Sequence, residues 1–383
     1  MKPASKLLLF FITILNFQID AQSLVKVLLA EISQSNNVIW HFESDQKFSL
    51  SAPNSGLVNK KKDFNSLKVE IIHHRIYLNG KPCKYPKIKL IPTGVPIAVN
   101  GKSYDGAFII TKHNQTVLLI NQVEIEDYIC SVLKTESWPG WPKEVNKAFA
   151  IASRSYVLAQ VLRARKTALP YHIKNSNYHQ TYSGIHNEAI LKAAVLETKD
   201  MILGHNGEPI LAMFDCCCGG VIPAHITGFD FINHPYLART TRCDHCKLVK
   251  IYSWQASYTD YDFKKALQAV VPSLKTIKKI DTKKDKAGTV KTLLVHGPKE
   301  THQIDARTMY ALFKDIKSWS YSINYNTKVV TVNGNGFGHH LGICQWGARE
   351  MINKGYNYRE VLQFYYPGAK FMKLKGYKKD AQL

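Results

Sequence analysis

The chain has 383 residues, of which 45% are hydrophobic and 21% charged, so it holds enough apolar side chains for a real core and is neither a disordered nor a fibrous chain. Its formal net charge is +22, which favours anionic polymers as partners. The basic residues gather in short runs such as Lys60-Lys61-Lys62, Lys278-Lys279 and Lys283-Lys284 without interleaved aromatics, which argues against a base-stacking groove. Nucleic acid, which the charge and Cys243-Asp244-His245-Cys246 also suggest, is disfavoured by the exported character expected from residues 1–21.

Lys2 and Lys6 precede an apolar run from Leu7 to Phe17, and Ala21 follows as a small residue suited to cleavage. Residues 1–21 therefore read as a signal peptide, with retention as an N-terminal anchor the alternative. The protein is expected to be exported, to the periplasm or the cell exterior, and to touch a membrane only if that segment is kept. No other stretch is long and apolar enough to span a bilayer.

Residues 22–123 alternate apolar segments with turns. Strands are predicted at Leu24 to Ala30, Leu67 to His73, Ile88 to Ile91, Phe108 to Thr111 and Thr116 to Ile120, separated by the turn dipeptides Asn79-Gly80, Asn100-Gly101 and Asp105-Gly106. The period then changes. Ile125, Tyr128, Ile129, Val132 and Leu133 mark one face of a helix. After the Trp138-Pro139-Gly140-Trp141-Pro142 break, a second helix is predicted to about Arg165, with Pro142 in its first turn. Residues 170–186 read as loop. Asn187 is placed to cap a short helix, and Ile210 to Phe214 reads as a strand running into Cys216-Cys217-Cys218. Residues 258–332 are Lys-rich, with a helix near Asp262 to Val270 and strands at Thr289 to Val295 and Lys328 to Val332. Two helices close the chain, Ile343 to Lys354 and Arg359 to Tyr365, the second capped by Asn357. The expected fold class is α+β, a β-rich N-terminal region followed by a mixed helical and strand core. The expected divisions are 22–123, a core at 124–257 with the cysteine cluster, the Lys-rich 258–332, a Gly-His loop with helices at 333–370, and a basic tail at 371–383.

Two clusters carry chemistry. Glu136 lies at a helix end beside Trp138 and Trp141; a carboxyl group shielded by indoles suits general-acid work on a glycosidic oxygen, whereas a solvated helix-end Glu would do nothing. Residues 334–348, with Gly334, Gly336, Gly338 and Gly342 around His339 and His340, let the backbone approach a ligand closely. His339, Gln345 and Trp346 there offer hydrogen bonds and a stacking face. The Lys and Ser/Thr of a phosphate loop are absent. Cys344 with His339 or His340 is a weaker alternative, as a cysteine hydrolase. Two thiols of the triplet, Cys217 and Cys218, with Cys243 and Cys246 suit either a closed four-sulfur zinc site or two disulfides.

These clusters resemble the SpoIID/LytB family, the stage II sporulation protein D and amidase-enhancer proteins. The resemblance rests on Glu126-Asp127-Tyr128, Val132, Glu136, Trp141-Pro142, Ala148, Ala150, Ala152, Arg154 and Tyr156, then Gln180, Tyr182 and Gly184, then Phe214 and Gly219-Gly220. It continues through Gly338 to Ala348, Gly355, Leu362 and Tyr365-Tyr366-Pro367-Gly368. It implies a lytic transglycosylase that cleaves the MurNAc–GlcNAc β-1,4 bonds of peptide-stripped peptidoglycan strands, with Glu136 as catalytic acid, a 1,6-anhydro product and no catalytic cofactor. The alternative implied is a non-catalytic wall binder that activates an N-acetylmuramoyl-L-alanine amidase. In either case glycan strands and a cell-wall amidase are the expected partners. The resemblance places Arg154, Gln180, Tyr182, His339, Gln345 and Trp346 at substrate, although Arg154 could instead brace its own helix through an ion pair. Some members bind zinc before the Gln180 element, where this chain offers only His172 and His179 and no Cys. His340 and Cys344 depart from the usual Gly and Ser.

Overall fold

The computed structural model describes residues 24–52 and 62–374; the signal-peptide reading of 1–21 and most of the basic tail lie outside them. The N-terminal third forms β1 (Leu24–Ser33), β2 (Val38–Ser51), β3 (Lys62–Ile72), β4 (Arg75–Leu78), β5 (Lys81–Pro82), β6 (Lys87–Pro92), β7 (Ile97–Val99), β8 (Lys102–Tyr104), β9 (Ala107–His113) and β10 (Thr116–Glu124). Then come α1 (Ile125–Glu136), α2 (Lys143–Ala164) and β11 (Ile173–Lys174). These strands share one sheet in the order β11-β1-β10-β9-β6-β2-β3-β4-β5, with β7 and β8 attached through β2. All pairings are antiparallel except β1 with β11. The Asn-Gly dipeptides turn as expected: Asn79 and Gly80 have φ of 48° and 77°, Asn100 and Gly101 of 49° and 77°. Strand alternation puts Val25, Val27, Phe42, Val69, Ile88, Phe108 and Val117 into the main core.

Helix α2 is the hub of the second layer. Its run from Ala148 to Leu158 is buried on every side, and it packs on α1, on α3 (Ala189–Glu197) and on β12 (Met201–His205). Small residues at Ala148, Ala150, Ala152, Ser153 and Ser155 permit that close approach on all sides. Pro142 is the residue before the helix, not within its first turn. Glu188, not Asn187, occupies the N-cap of α3, and it makes no side-chain cap bond.

Beyond β13 (Glu208–Pro209), the strand predicted at Ile210 to Phe214 is reduced to β14 (Phe214–Asp215). Ala212 and Met213 donate to the carbonyls two residues back, so that stretch turns on itself instead of joining a ladder. Residues 216–252 are largely irregular and carry most of the cysteines.

The next segment has its own core. It contains β15 (Ser253–Thr259), α4 (Asp260–Gln268), β16 (Lys279–Lys284), β17 (Val290–His296), β18 (Thr301–Asp305), α5 (Ala306–Leu312), β19 (Tyr321–Tyr325) and β20 (Val329–Asn335). Phe263, Leu267, Leu293, Val295, Met309, Phe313, Val330 and Val332 are buried together, separate from the main core. β15 and β20 pair antiparallel from Ser253↔Asn335 onwards, so the chain leaves and returns at one place. It ends with β21 (Ile343–Cys344), α6 (Gln345–Asn353), α7 (Tyr358–Tyr365) and β22 (Lys370–Lys373). β21 lies parallel to β14 and β22 antiparallel to β12, which returns the C-terminus to the main body. Asn357 caps α7 in a reciprocal box with Glu360, as expected. The fold class is α+β. Among the described residues, no helix is long and apolar enough to cross a membrane.

Candidate functional site

Glu136 is the last residue of α1 and is partly exposed. Its Oε1 accepts two hydrogen bonds from Thr181, one from the backbone N–H at 2.8 Å and one from the hydroxyl at 2.6 Å. No hydrogen bond to Oε2 is found among the described residues. The clamp is firm because residues 180–183 lie along α1. Tyr128 donates from its hydroxyl to Gln180 Oε1 at 2.9 Å, Thr135 Oγ1 donates to the Thr181 carbonyl at 3.0 Å, and Ser183 N–H donates to Ser131 Oγ at 3.0 Å. On the other side, Ser137 is buried and hydrogen-bonded to Asn146 of α2.

The start of α6 closes on the same point. Gln345 Nε2 donates to the Glu136 carbonyl at 2.9 Å. Trp346 meets Trp141 edge-on at 5.4 Å between ring centroids, and Trp141 stacks on Trp138 at 6.0 Å. The Arg349 guanidinium lies over Trp346 at 5.0 Å. Trp138 is 59% exposed, a large apolar face next to a carboxylate. Glu136, Gln345 and Trp346 are thus brought together from positions more than 200 apart in sequence.

Three residues expected at substrate are buried away from it. Arg154 is 0% exposed, paired through Nε and Nη2 with both carboxylate oxygens of Glu126 at 3.0 and 2.7 Å, and bonded to the Met201 carbonyl. It braces α2 against α1 and β12 and cannot reach a sugar. Gln180 and Tyr182 are 1% and 2% exposed; Tyr182 stacks on Tyr128 and donates to Asn121. They hold the segment that presents Thr181. Burial alternates along residues 180–184, so the motif residues Gln180, Tyr182 and Gly184 face inward while Thr181, between them, faces Glu136. Thr181 was missed because a pattern read on its fixed positions sees only the inner side.

His339 is partly buried and accepts from the Leu341 N–H at Nδ1; burial, then His340, lowers it to about 4, so its ring is neutral near pH 7. His340 sits at φ 67°, its N–H donating to Asp215 at 2.6 Å and its Nδ1 paired with the Cys218 carbonyl. Neither His ring is hydrogen-bonded to Cys344, which is fully buried and caps α6 by accepting the Gly347 N–H at Sγ, so the cysteine-hydrolase arrangement is not formed. Gly338 and Gly342 are required in this loop. A Cβ at Gly338 would lie 2.4 Å from that of Asp215, and one at Gly342 would lie 1.8 Å from the Met213 carbonyl oxygen.

The cysteines converge nearby, with one exchange from the expected set. The Sγ atoms of Cys218, Cys243, Cys246 and Cys344 all lie within 4.8 Å of one another; Cys344, not Cys217, completes that group. All eight cysteines are unbridged, and the Cys218 and Cys246 sulfurs stand 3.6 Å apart. His172, one of the two histidines before the Gln180 element, has Nδ1 engaged by the Lys26 N–H at 3.1 Å.

The α+β scaffold thus sets a carboxyl group clamped by Thr181 at the end of α1, two residues before Trp138, whose ring joins those of Trp141 and Trp346 in one aromatic group. The SpoIID family, described as Stage II sporulation protein, matches residues 113–205, which span α1, α2 and the Thr181 clamp. The chain is similar to an uncharacterized protein of Brachyspira hyodysenteriae (29% identical, covering 71% of this chain and 73% of that one). It is also similar to Stage II sporulation protein D of Bacillus subtilis (24%, covering 65% and 75%). A third relative is the Amidase enhancer of Bacillus subtilis (24%), where the match covers 88% of this chain and 53% of that protein. The family match over residues 113–205, together with the relatives named Stage II sporulation protein D and Amidase enhancer, supports the SpoIID/LytB family for this chain.

Proposed function

We propose that this protein acts on the bacterial cell wall as an exported lytic transglycosylase, with Glu136 as its general acid. The family and the sporulation and amidase-enhancer relatives support the wall-related role. The observation that carries the chemistry is the asymmetry of the Glu136 carboxyl group: Oε1 is fixed by two donors from Thr181, which leaves Oε2 to meet a ligand. In the proposed step the Glu136 carboxyl proton passes to the oxygen bridging MurNAc and GlcNAc, and the C1–O bond breaks. The MurNAc C6 hydroxyl oxygen then bonds to C1 and returns its proton to Glu136. No water is consumed, and one carboxyl group serves both halves, unlike the two-carboxylate hydrolases. Trp138, stacked on Trp141, is the sugar platform, and Gln345 fixes the peptide from which the acid projects.

Digestion of peptide-stripped glycan strands, read by mass spectrometry, tests this. Wild type is expected to yield 1,6-anhydro ends and Glu136→Gln to lose at least about a hundredfold in rate, with folding unchanged by circular dichroism. Thr181→Val is expected to lower the rate with little effect on binding. Wild-type protein that binds the strands without cutting them would replace this reading with the second one, a non-catalytic activator of a wall amidase, which the Amidase enhancer relative favours. That second reading is checked by adding the protein to a wall amidase and measuring the release of stem peptide.

A further inference from the structure

We propose that Cys218, Cys243, Cys246 and Cys344 hold one structural zinc ion that pins the start of α6 to the cysteine-bearing loops. In a tetrahedral four-thiolate site with Zn–S bonds of about 2.3 Å, the sulfurs stand roughly 3.8 Å apart. Here all four Sγ atoms lie within 4.8 Å of one another, and Cys218 and Cys246 are 3.6 Å apart. Four thiols sharing one centre is the arrangement of a common ligand; two disulfides would instead draw the sulfurs into two bonded pairs of about 2.05 Å. The ligands come from three chain segments: the loop after β14, the Cys-x-x-Cys at 243–246, and the N-cap of α6.

The surroundings suit thiolates. Cys344 Sγ accepts backbone N–H groups from Cys218 and Gly347, each at 3.2 Å. The Tyr365 hydroxyl lies 3.2 Å from Cys243 Sγ. The guanidinium of Arg239, 2% exposed, covers the Tyr365 ring at 5.6 Å and sets a buried positive charge one ring away from the sulfurs. The site is also closed. A Cβ on Gly347 would fall 3.1 Å from the sulfurs of both Cys243 and Cys344, and each ligand is at most 1% exposed. With no room for water or substrate on the ion, its role is structural. Binding exchanges up to four thiol protons for one Zn²⁺, the protons passing to solvent, with no change of oxidation state. Because Cys344 immediately precedes Gln345 and Trp346, the ion would fix the two residues that reach Glu136 and Trp141.

The test uses the purified full chain and needs no glycan, so it stands or falls apart from the transglycosylase reading. Elemental analysis is expected to give about one zinc per chain, and cobalt exchange the visible bands of a tetrahedral cobalt thiolate. Cys344→Ser is expected to weaken metal retention at least about tenfold in chelator competition, while Cys217→Ser keeps full stoichiometry. Zinc-free protein with all thiols reactive, protein with these cysteines joined as disulfides, or metal lost in Cys217→Ser but retained in Cys344→Ser would each overturn the assignment. Should Cys344→Ser not fold, wild-type zinc content and the cobalt spectrum decide alone.

Discussion

At the scale of single residues, the polar and aromatic side chains of α1, α2 and their junction divide into two kinds. Glu126, partly exposed, and Arg154, fully buried, form a bidentate pair that ties the two helices together. Arg154→Ala leaves Glu126 unpaired and a cavity where a fully buried side chain stood, so it is expected to cost about 2–5 kcal/mol in urea unfolding. Whatever fraction remains folded should keep full activity per molecule; a sugar-binding Arg154 would instead show normal stability and a raised KM. Glu136 and Trp138 are the opposite kind, partly or largely exposed and unnecessary to the core. Trp138→Ala is expected to weaken glycan binding by about 1 kcal/mol, roughly fivefold, in an affinity titration, with thermal stability unchanged. The place of Glu136 at a helix end beside two indoles was legible in the sequence, because it is a local arrangement, whereas the acid role given to it came from the family resemblance. The residue pattern could not separate Arg154 from the site, because its partner Glu126 lies 28 positions away and burial is a tertiary property. Cys344 was hidden for the same reason, standing 126 positions from Cys218.

At the scale of elements, the strands and helices with clean periodicity were legible and the interrupted ones were not. β10 reads directly from its apolar run, and α1 from its spaced apolar face. β2 escaped notice although it spans 14 residues, because its middle, Glu43 to Lys47, is polar and sits at a register shift against β3. Two-residue strands such as β14 and β21 exist only through each other and leave no local pattern. The β1–β11 edge carries a pH response. His172 donates its N–H to the Lys26 carbonyl and accepts the Lys26 N–H at Nδ1, and burial, then the Lys26 and Arg165 charges, lower it from 6.5 to about 4. The unfolded chain takes up this proton first on acidification. The contribution is therefore complete above pH 6.5 and declines as the pH falls toward 4. In urea unfolding across that window, wild type is expected to lose at most about 3 kcal/mol more than His172→Gln.

At the scale of the whole molecule, the net charge of +22 and the exposed pairs Lys278-Lys279 and Lys283-Lys284 set the strength of any attraction to anionic wall polymers. Sedimentation with purified cell walls is expected to show strong binding at low ionic strength and a marked loss near ~0.5 M salt, where screening confines attraction to a few ångströms. Binding that ignores salt would place recognition in Trp138 and its neighbours alone. The segment from β15 to β20 adds a second core to this basic body without sharing the first. Because Ser253 and Asn335 face each other across an antiparallel ladder, the two crossing points sit side by side. A stretch spliced in through adjoining ends imposes no span on its host. A reporter domain grafted between those two positions would therefore fit without stretching the framework, and what it would forfeit is the bonding of Lys317 to Gly338 and of Asp285 and Lys291 to Thr227.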